Sequence, residues 1–228
     1  MERVEEQELL DFDHWSPEEV ACALAAIRRV NLLYGGNRMH KRLFRRVAER
    51  IPGRKLEVLE VASGYADVLQ AASRMLQKKG FLLHISLLDR CALHLPGPGD
   101  WDPSLPKPHL LTGDAMDLPL ADNGVDVVSC CLFLHHLSTD QARAFLKEAL
   151  RVARVAVLVN DVERNRTNYL LSHLQTLVDP SRLSRHDGPT SVRQSYTFGE
   201  LKDLLRETGR EYTLERGFLY RLGATVWK

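Results

Sequence analysis

The stretch of sequence that decides the fold is Val58-Leu59-Glu60-Val61-Ala62-Ser63-Gly64-Tyr65-Ala66-Asp67. An apolar run containing an acid leads into a turn of small residues, and a helical pattern begins at about Asp67. Small residues in such a turn let the backbone and a ligand approach closely, and the N-terminus of the helix offers free N–H groups. The order of strand, tight turn and helix predicts the first unit of a ligand-binding α/β sheet.

The acid in this turn distinguishes it from the G-x-G-x-x-G turn that binds a dinucleotide pyrophosphate. A carboxylate at Glu60 repels phosphate but suits an ammonium group. The turn resembles motif I, [D/E]-x-G-x-G-x-G, of the class I S-adenosylmethionine-dependent methyltransferases, with Glu60 as the acid and Gly64 as the central glycine. Ala62 and Ala66 replace the first and third glycines. We expect both alanines to keep a negative φ, because residues with a Cβ avoid the left-handed region.

Further motifs follow in the order of that family, from about Leu56 to Asp161. Asp89 ends the apolar run 81–88, and an acid at this point can accept both hydroxyls of a ribose. In the family, a pair such as Asp114-Ala115 holds adenine, and the run 124–133 resembles the motif of the fourth strand. The resemblance therefore implies S-adenosylmethionine as the cofactor, bound by Glu60, Ala62, Gly64, Asp89, Arg90, Asp114, Ala115 and Cys130.

The segment Leu134-His135-His136-Leu137-Ser138 resembles the Leu-His-His-Leu segment of small-molecule and quinone methyltransferases. Neighbouring side chains on a strand point in opposite directions, so we expect His135 to face the cleft and His136 to point elsewhere. The candidate catalytic bases are His135, His136 and His186, with His135 and His186 favoured, because a neutral imidazole can take the proton of a phenol. The alternative is that these histidines only cap or pack. Asp187 lies beside His186, but adjacent residues rarely pair in a way that orients an imidazole.

Composition narrows the function further. The 228 residues carry a formal net charge of +1, which gives no general reason to expect nucleic acid or a membrane as a partner. The basic residues of 38–50 are interpreted as a solvated helix face. The four cysteines lack C-x-x-C spacing, so no metal or redox site is predicted. No signal-peptide core or long apolar segment is present, and we expect a cytoplasmic protein.

The predicted organisation is an N-terminal helical lid over residues 1–54 and a Rossmann-like core over 55–228, with a helical insertion at about 162–195. The core is expected to be α/β, with a doubly wound seven-stranded sheet that is mostly parallel and ends in an antiparallel hairpin. The insertion begins with a helical stripe and continues with a polar stretch over 184–193. The stripe consists of Leu170, Leu171, Leu174, Leu177 and Val178.

The resemblance implies methyl transfer to a small molecule, with O-methylation of a phenolic or polyketide-type acceptor as the favoured reaction. Two alternatives stay open. One is a protein or RNA methyltransferase, although no Asn-Pro-Pro-Tyr-type motif and no appended RNA-binding domain are present. The other is a non-catalytic methyltransferase-like binding module, which the alanines at 62 and 66 suggest.

Overall fold

A computed structural model describes residues 1–12, 15–177 and 179–228. Its strands form one sheet of seven in the order β3-β2-β1-β4-β5-β7-β6. Strands β1 to β5 are parallel, and β7 runs antiparallel between β5 and β6. This arrangement confirms the predicted mixed sheet with its C-terminal antiparallel hairpin. The strands are β1 (Lys55–Val61), β2 (Leu82–Asp89), β3 (His109–Thr112), β4 (Val125–Cys131), β5 (Ala153–Val162), β6 (Tyr212–Arg216) and β7 (Arg221–Trp227).

Helices cover both faces of the sheet and one of its edges. They are α1 (Pro17–Leu33), α2 (Gly36–Arg50), α3 (Asp67–Lys78), α4 (Thr139–Val152), α5 (Arg166–Thr176), α6 (Arg182–Gln194) and α7 (Phe198–Glu207). Capping boxes start α1, α4 and α7 at Ser16, Ser138 and Thr197, as the sequence signals predict. Each cap satisfies a main-chain N–H that the helix itself leaves without a partner.

Strand β1 shows why the sheet needs helices on both sides. Leu56 and Val58 pack into one apolar cluster with α2 and α3. Leu59 and Val61 pack into a second cluster with α4 and α7. Because successive side chains on a strand point to opposite faces, a strand buried on both sides is an almost unbroken apolar run.

The two N-terminal helices take different positions. Helix α1 lies over the carboxyl ends of the strands, where Leu24 and Ile27 border a cavity. Helix α2 instead packs on the sheet through Leu43, Phe44 and Val47, all fully buried. Part of its basic face forms ion pairs with the C-terminal hairpin, as in the contacts of Arg42 and Arg46 with Glu215.

The region after β5 differs from the sequence-based prediction. The polar stretch 184–193 is helical and belongs to α6, which contains Pro189. Packing stabilises this helix despite its poor propensity, because Leu183, Pro189 and Val192 are buried. The predicted stripe does lie on α5 and the turn after it, but Leu170 and Leu174 are about three-fifths exposed, at 62% and 61%. Val178 lies outside the described residues.

Within the described ranges, none of the helices combines the length and the apolar character that crossing a bilayer requires.

Candidate active site

A cavity of about 560 Å³ lies at the carboxyl ends of β1, β2 and β4. Its floor is the turn after β1 and its roof is α1. Parts of α5 and α6 and the N-terminal segment complete its walls. Open α/β sheets bind ligands at this edge, because the parallel strands all end there and the helices that follow present their N-termini.

The turn after β1 keeps the shape of a glycine-rich loop. Ala62 and Ala66 both have φ of 50°, and Gly64 has φ of 48°. The expectation of a negative φ at the two alanines is therefore wrong. The turn is fixed by main-chain hydrogen bonds from Ser63 N–H to the Leu88 carbonyl (3.1 Å) and from Ala66 N–H to the Ser63 carbonyl (2.7 Å). The alanines take the left-handed conformation that glycine would take more easily.

Asp89 connects the end of β2 to this turn. One carboxylate oxygen accepts the N–H of Gly64 at 3.1 Å. The other accepts the N–H of Cys91 at 3.2 Å and lies 3.2 Å from Nδ1 of His94. Asp89 and its neighbour Arg90 both border the cavity. The acid is thus held in a fixed position at the place where the family resemblance puts the ribose.

Glu60 lies elsewhere. Its side chain is buried, accepts a hydrogen bond from the Ser129 hydroxyl, and lies 3.5 Å from Nε2 of His40. It shares the α2 face of β1 with Val58, because the two are two residues apart on the strand. Glu60 does not border the cavity, so the structure does not place it against the cofactor as predicted.

Asp67, the first residue of α3, borders the cavity in its place. Asn31 donates to one carboxylate oxygen of Asp67 at 3.4 Å. The other oxygen is buried and has no hydrogen-bond partner in the described part of the chain. Burial raises the pKa of this carboxyl above its ordinary value. The only sequence signal for Asp67 is its position directly after the turn.

Of the remaining predicted cofactor residues, some border the cavity and one does not. Asp114 and Ala115 border the cavity, and the N–H of Met116 donates to the Asp114 carboxylate at 2.8 Å. Cys130 does not border it, whereas its neighbour Cys131 does. Alternation along β4 explains the difference. Burial raises the pKa of both thiols, so neither is an activated nucleophile.

These residues fit S-adenosylmethionine. The small-residue turn leaves room beside the backbone, and Asp89 can accept hydroxyl hydrogens. The unpartnered oxygen of Asp67 suits an ammonium group, which needs a negatively charged acceptor.

The two adjacent histidines both border the cavity. Leu134–His136 is a turn of 3₁₀ helix, not the end of a strand. The imidazole rings of His135 and His136 therefore stack, with centroids 4.3 Å apart. The expectation that His136 points elsewhere is wrong, because the alternation of a strand does not apply to a helical turn.

His135 is paired with Asp161 at the end of β5. Its Nδ1 lies 2.7 Å from one carboxylate oxygen, and its main-chain N–H donates to the other at 3.2 Å. Burial lowers the pKa of His135, but the carboxylates of Asp161 and Glu8 outweigh that effect and raise it to about 10. In this arrangement the imidazole is protonated at neutral pH.

His186 lies outside the cavity on α6, with 42% of its side chain exposed. Its Nδ1 is 2.9 Å from a carboxylate oxygen of Asp187, so the adjacent pair does form. Asp187 also accepts the N–H groups of Leu9 and Leu10. Overall the structure brings seven predicted residues to one cavity and leaves out Glu60, Cys130 and His186. The seven are Ala62, Gly64, Asp89, Arg90, Asp114, Ala115 and His135.

The N-terminal segment 1–12, here called the strap, closes one side of the cavity. Arg3 donates to the carbonyls of His135, Leu137 and Gln194. Glu8 is buried, and its carboxylate accepts from the Ser191 hydroxyl at 2.6 Å. The sequence gives no sign of this role, because these partners lie far along the chain.

Comparison with known proteins agrees with this geometry. Residues 88–157 match the family model described as a methyltransferase domain. No curated protein sequence matches the chain at a significant level. A SAM-dependent methyltransferase from Aquifex aeolicus has a similar structure, with a TM-score of 0.57, 19% identity and coverage of 93% of this chain and 98% of that one.

Two similar structures contain S-adenosylhomocysteine (SAH). The plantazolicin methyltransferase BpumL has a TM-score of 0.64 and 11% identity, over 93% of this chain and 95% of that one. The magnesium protoporphyrin IX methyltransferase ChlM from Synechocystis PCC 6803 has a TM-score of 0.56 and 16% identity, over 85% of this chain and 84% of that one. At these identities the likeness shows the fold.

The sheet order, the cavity at the strand ends and the motif-I turn define the class I S-adenosylmethionine-dependent methyltransferase fold. Residues 88–157 carry the match to the methyltransferase domain, and the chain as a whole has the fold of the S-adenosylmethionine-dependent methyltransferases.

Proposed function

We propose that this methyltransferase acts on a hydroxyl group of a small, largely apolar molecule, of the phenolic or polyketide type. The observation that carries the proposal is the continuity of the cavity from the turn after β1 to His135. Apolar side chains of α1 and α6, including Ile27, Val30 and Val192, line it beyond the cofactor loops. A cavity of this size suits a small acceptor.

The residues of the first turn and of β2 hold the cofactor in this proposal. Asp89 accepts hydrogen bonds from the ribose hydroxyls. Asp67 pairs with the ammonium group, a role that Glu60 cannot take because it does not border the cavity. When bound, S-adenosylmethionine supplies a methyl group that its sulfonium already activates. The protein mainly has to orient the acceptor and exclude water, which can account for a large part of the rate enhancement.

His135 lies at the acceptor end of the cavity. With Nδ1 held by Asp161, its Nε2 points at the Glu8 carboxylate, 3.4 Å away. Because Nε2 is buried against Glu8, His135 contacts an acceptor hydroxyl only when Glu8 moves away. We therefore propose that movement of the strap exposes Nε2, which then orients the acceptor hydroxyl.

The same geometry bears on the alternatives. The strap covers the cavity, which disfavours RNA or a folded protein as the acceptor. The two alanines keep the left-handed turn, so their presence no longer favours a non-catalytic module. The structurally similar methyltransferase BpumL has been solved in complex with a triazolic desmethylPZN analog and SAH.

A substrate screen tests the proposal. The chain is incubated with S-adenosylmethionine and, separately, with hydroxylated aromatic compounds, unmodified tRNA and a peptide mixture. Release of SAH and a mass gain of one methyl group are measured by mass spectrometry. We expect turnover with a subset of the aromatic compounds only. Turnover with tRNA or peptides alone would contradict the proposal.

A further inference from the structure

We propose that Glu8, His135 and His136 form a binding site for a divalent transition-metal cation, with Zn²⁺ as the ion that this set of ligands fits best. One potential ligand atom from each residue lies within 4.8 Å of the others. Nε2 of His135 lies 3.4 Å from one Glu8 oxygen, and Nε2 of His136 lies 3.9 Å from the other. Ligands in a tetrahedral zinc site lie about 3.3–3.5 Å apart, given bonds of about 2.0–2.2 Å.

A second set of residues orients each ligand. Asp161 lies 2.7 Å from Nδ1 of His135, and Asp11 lies 3.1 Å from Nδ1 of His136. A histidine that donates Nδ1–H to a carboxylate presents the lone pair of Nε2 to a metal, and most metal-binding histidines are held in this way. Here both Nε2 atoms face the same carboxylate.

Glu8 is oriented in the same manner. The hydroxyl of Ser191 donates to its Oε1 at 2.6 Å and the side-chain amide of Gln194 at 3.2 Å. These hydrogen bonds fix a buried carboxylate beside the two imidazoles. The cost of burying it requires a positive partner. A divalent cation or two protonated histidines would each supply that charge.

An independent observation favours a ligand at this point. Nε2 of His135 is buried and makes no hydrogen bond of ordinary geometry with any described residue, because the Glu8 oxygen at 3.4 Å lies beyond the usual length. Leaving a buried ring nitrogen unsatisfied costs free energy. A metal bond would satisfy that nitrogen.

The ligand types select the class of ion. Two imidazoles and one carboxylate suit zinc and its neighbours in the transition series, whereas Mg²⁺ and Ca²⁺ prefer oxygen ligands. All three residues border the cavity, so a further coordination position would face the methyl acceptor. A cation there would polarise the acceptor oxygen in place of a direct contact from Nε2 of His135, and only this use of the site rests on the proposed function. The sequence predicted no metal site because Glu8 is distant in sequence from the histidines.

Calorimetry with ZnCl₂ and metal analysis after dialysis test the site, using full-length chain without a histidine tag and without cofactor. We expect one equivalent of Zn²⁺, and no comparable binding of Mg²⁺. Glu8→Gln and His136→Ala should each weaken zinc binding by more than about 100-fold. Asp11→Asn should weaken it by about 10–100-fold, the usual effect of losing an orienting partner. Co²⁺ should give visible absorption bands of four- or five-coordination.

Two matched controls keep the test specific. Glu6→Gln changes another acid on the strap, which pairs with Arg193, and His186→Ala removes a histidine that lies outside the cluster. Both should bind zinc as the parent chain does. The proposal is overturned if the parent chain binds no stoichiometric zinc, or if Glu8→Gln and His136→Ala bind it unchanged. Because no methyl transfer is measured, either result leaves the proposed function to its own test.

Discussion

Two alanines bear the conformational cost of a turn that glycine forms more easily. Ala62 and Ala66 both have φ of 50°. A left-handed residue with a Cβ costs roughly 1–2 kcal/mol. The chain tolerates this cost because hydrogen bonds from Ser63 and to Asp89 fix the turn.

Ala62→Gly should therefore stabilise the fold. Glycine relieves the strain but loses chain entropy on folding, so we expect a gain of about 0.5–1 kcal/mol in the free energy of unfolding. Urea denaturation measures it. The control is Ala71→Gly within α3, which should lose about 1 kcal/mol. Equal losses in both variants would contradict the assignment of strain.

Asp89→Ala should weaken the binding of SAH. The ribose hydroxyls lose a charged acceptor worth about 1.5–3 kcal/mol, which is roughly a 10- to 150-fold change in the dissociation constant. Isothermal titration calorimetry measures it. Asp114→Asn, whose carbonyl oxygen still accepts, should have a smaller effect. If Asp89→Ala binds SAH as the parent chain does, the ribose assignment fails.

His135→Ala should lower turnover with an accepted hydroxyl compound by about 10- to 150-fold, the effect of losing a hydrogen bond of about 1.5–3 kcal/mol from a charged group to the acceptor. SAH affinity should hardly change, because the cofactor residues are untouched. Steady-state kinetics and calorimetry separate the two quantities. His186→Ala is the matched control and should keep near-normal turnover. Near-normal turnover in His135→Ala would leave the histidine with a structural role.

At the scale of single residues, the sequence indicated positions better than directions. The motifs predict the positions of Asp89 and His135, and both residues border the cavity. Glu60 and Cys130 do not border the cavity, because the motif does not state which face of the strand each one occupies. Asp67 was missed because its burial and its unpartnered oxygen depend on packing against α1.

At the scale of elements, features that neighbouring residues encode were predicted, whereas features that depend on contacts between distant residues were not. The capping boxes of α1, α4 and α7 are encoded within four residues each, and all three form. Helix α6 was not predicted, because Gly188 and Pro189 lower its propensity and only tertiary packing stabilises it. The strap was not predicted either, because its partners lie on α6 and beside the 3₁₀ turn Leu134–His136.

Deleting residues 2–10 should leave the fold intact, because neither apolar core cluster contains a residue of the strap. We expect a small change in melting temperature and in SAH affinity, but a large loss of turnover, since the acceptor end of the cavity opens to water. Calorimetry, thermal unfolding and a methyl-transfer assay give the three quantities. The variant Arg3→Ala loses the hydrogen bonds to the carbonyls of His135 and Leu137 and should show the same effect more weakly. Unchanged turnover after deletion would show that the strap has no part in the reaction.

At the scale of the whole molecule, the sheet brings distant parts of the chain to one edge. Strand ends supply Asp89 and Asp161, a helical turn supplies His135, and the strap supplies Glu8. The mostly parallel sheet with its antiparallel hairpin followed from the sequence of motifs, because parallel strands joined by helices have few possible arrangements. The enclosure of the cavity did not, because it depends on how segments with weak local signals pack.

A crystal structure with SAH bound tests the central claim most directly. The account predicts that the ribose hydroxyls contact Asp89, that the amino group lies near Asp67, and that the sulfur faces His135 across the apolar part of the cavity. A ligand whose sulfur faces away from His135, or a ligand bound outside this cavity, would contradict it.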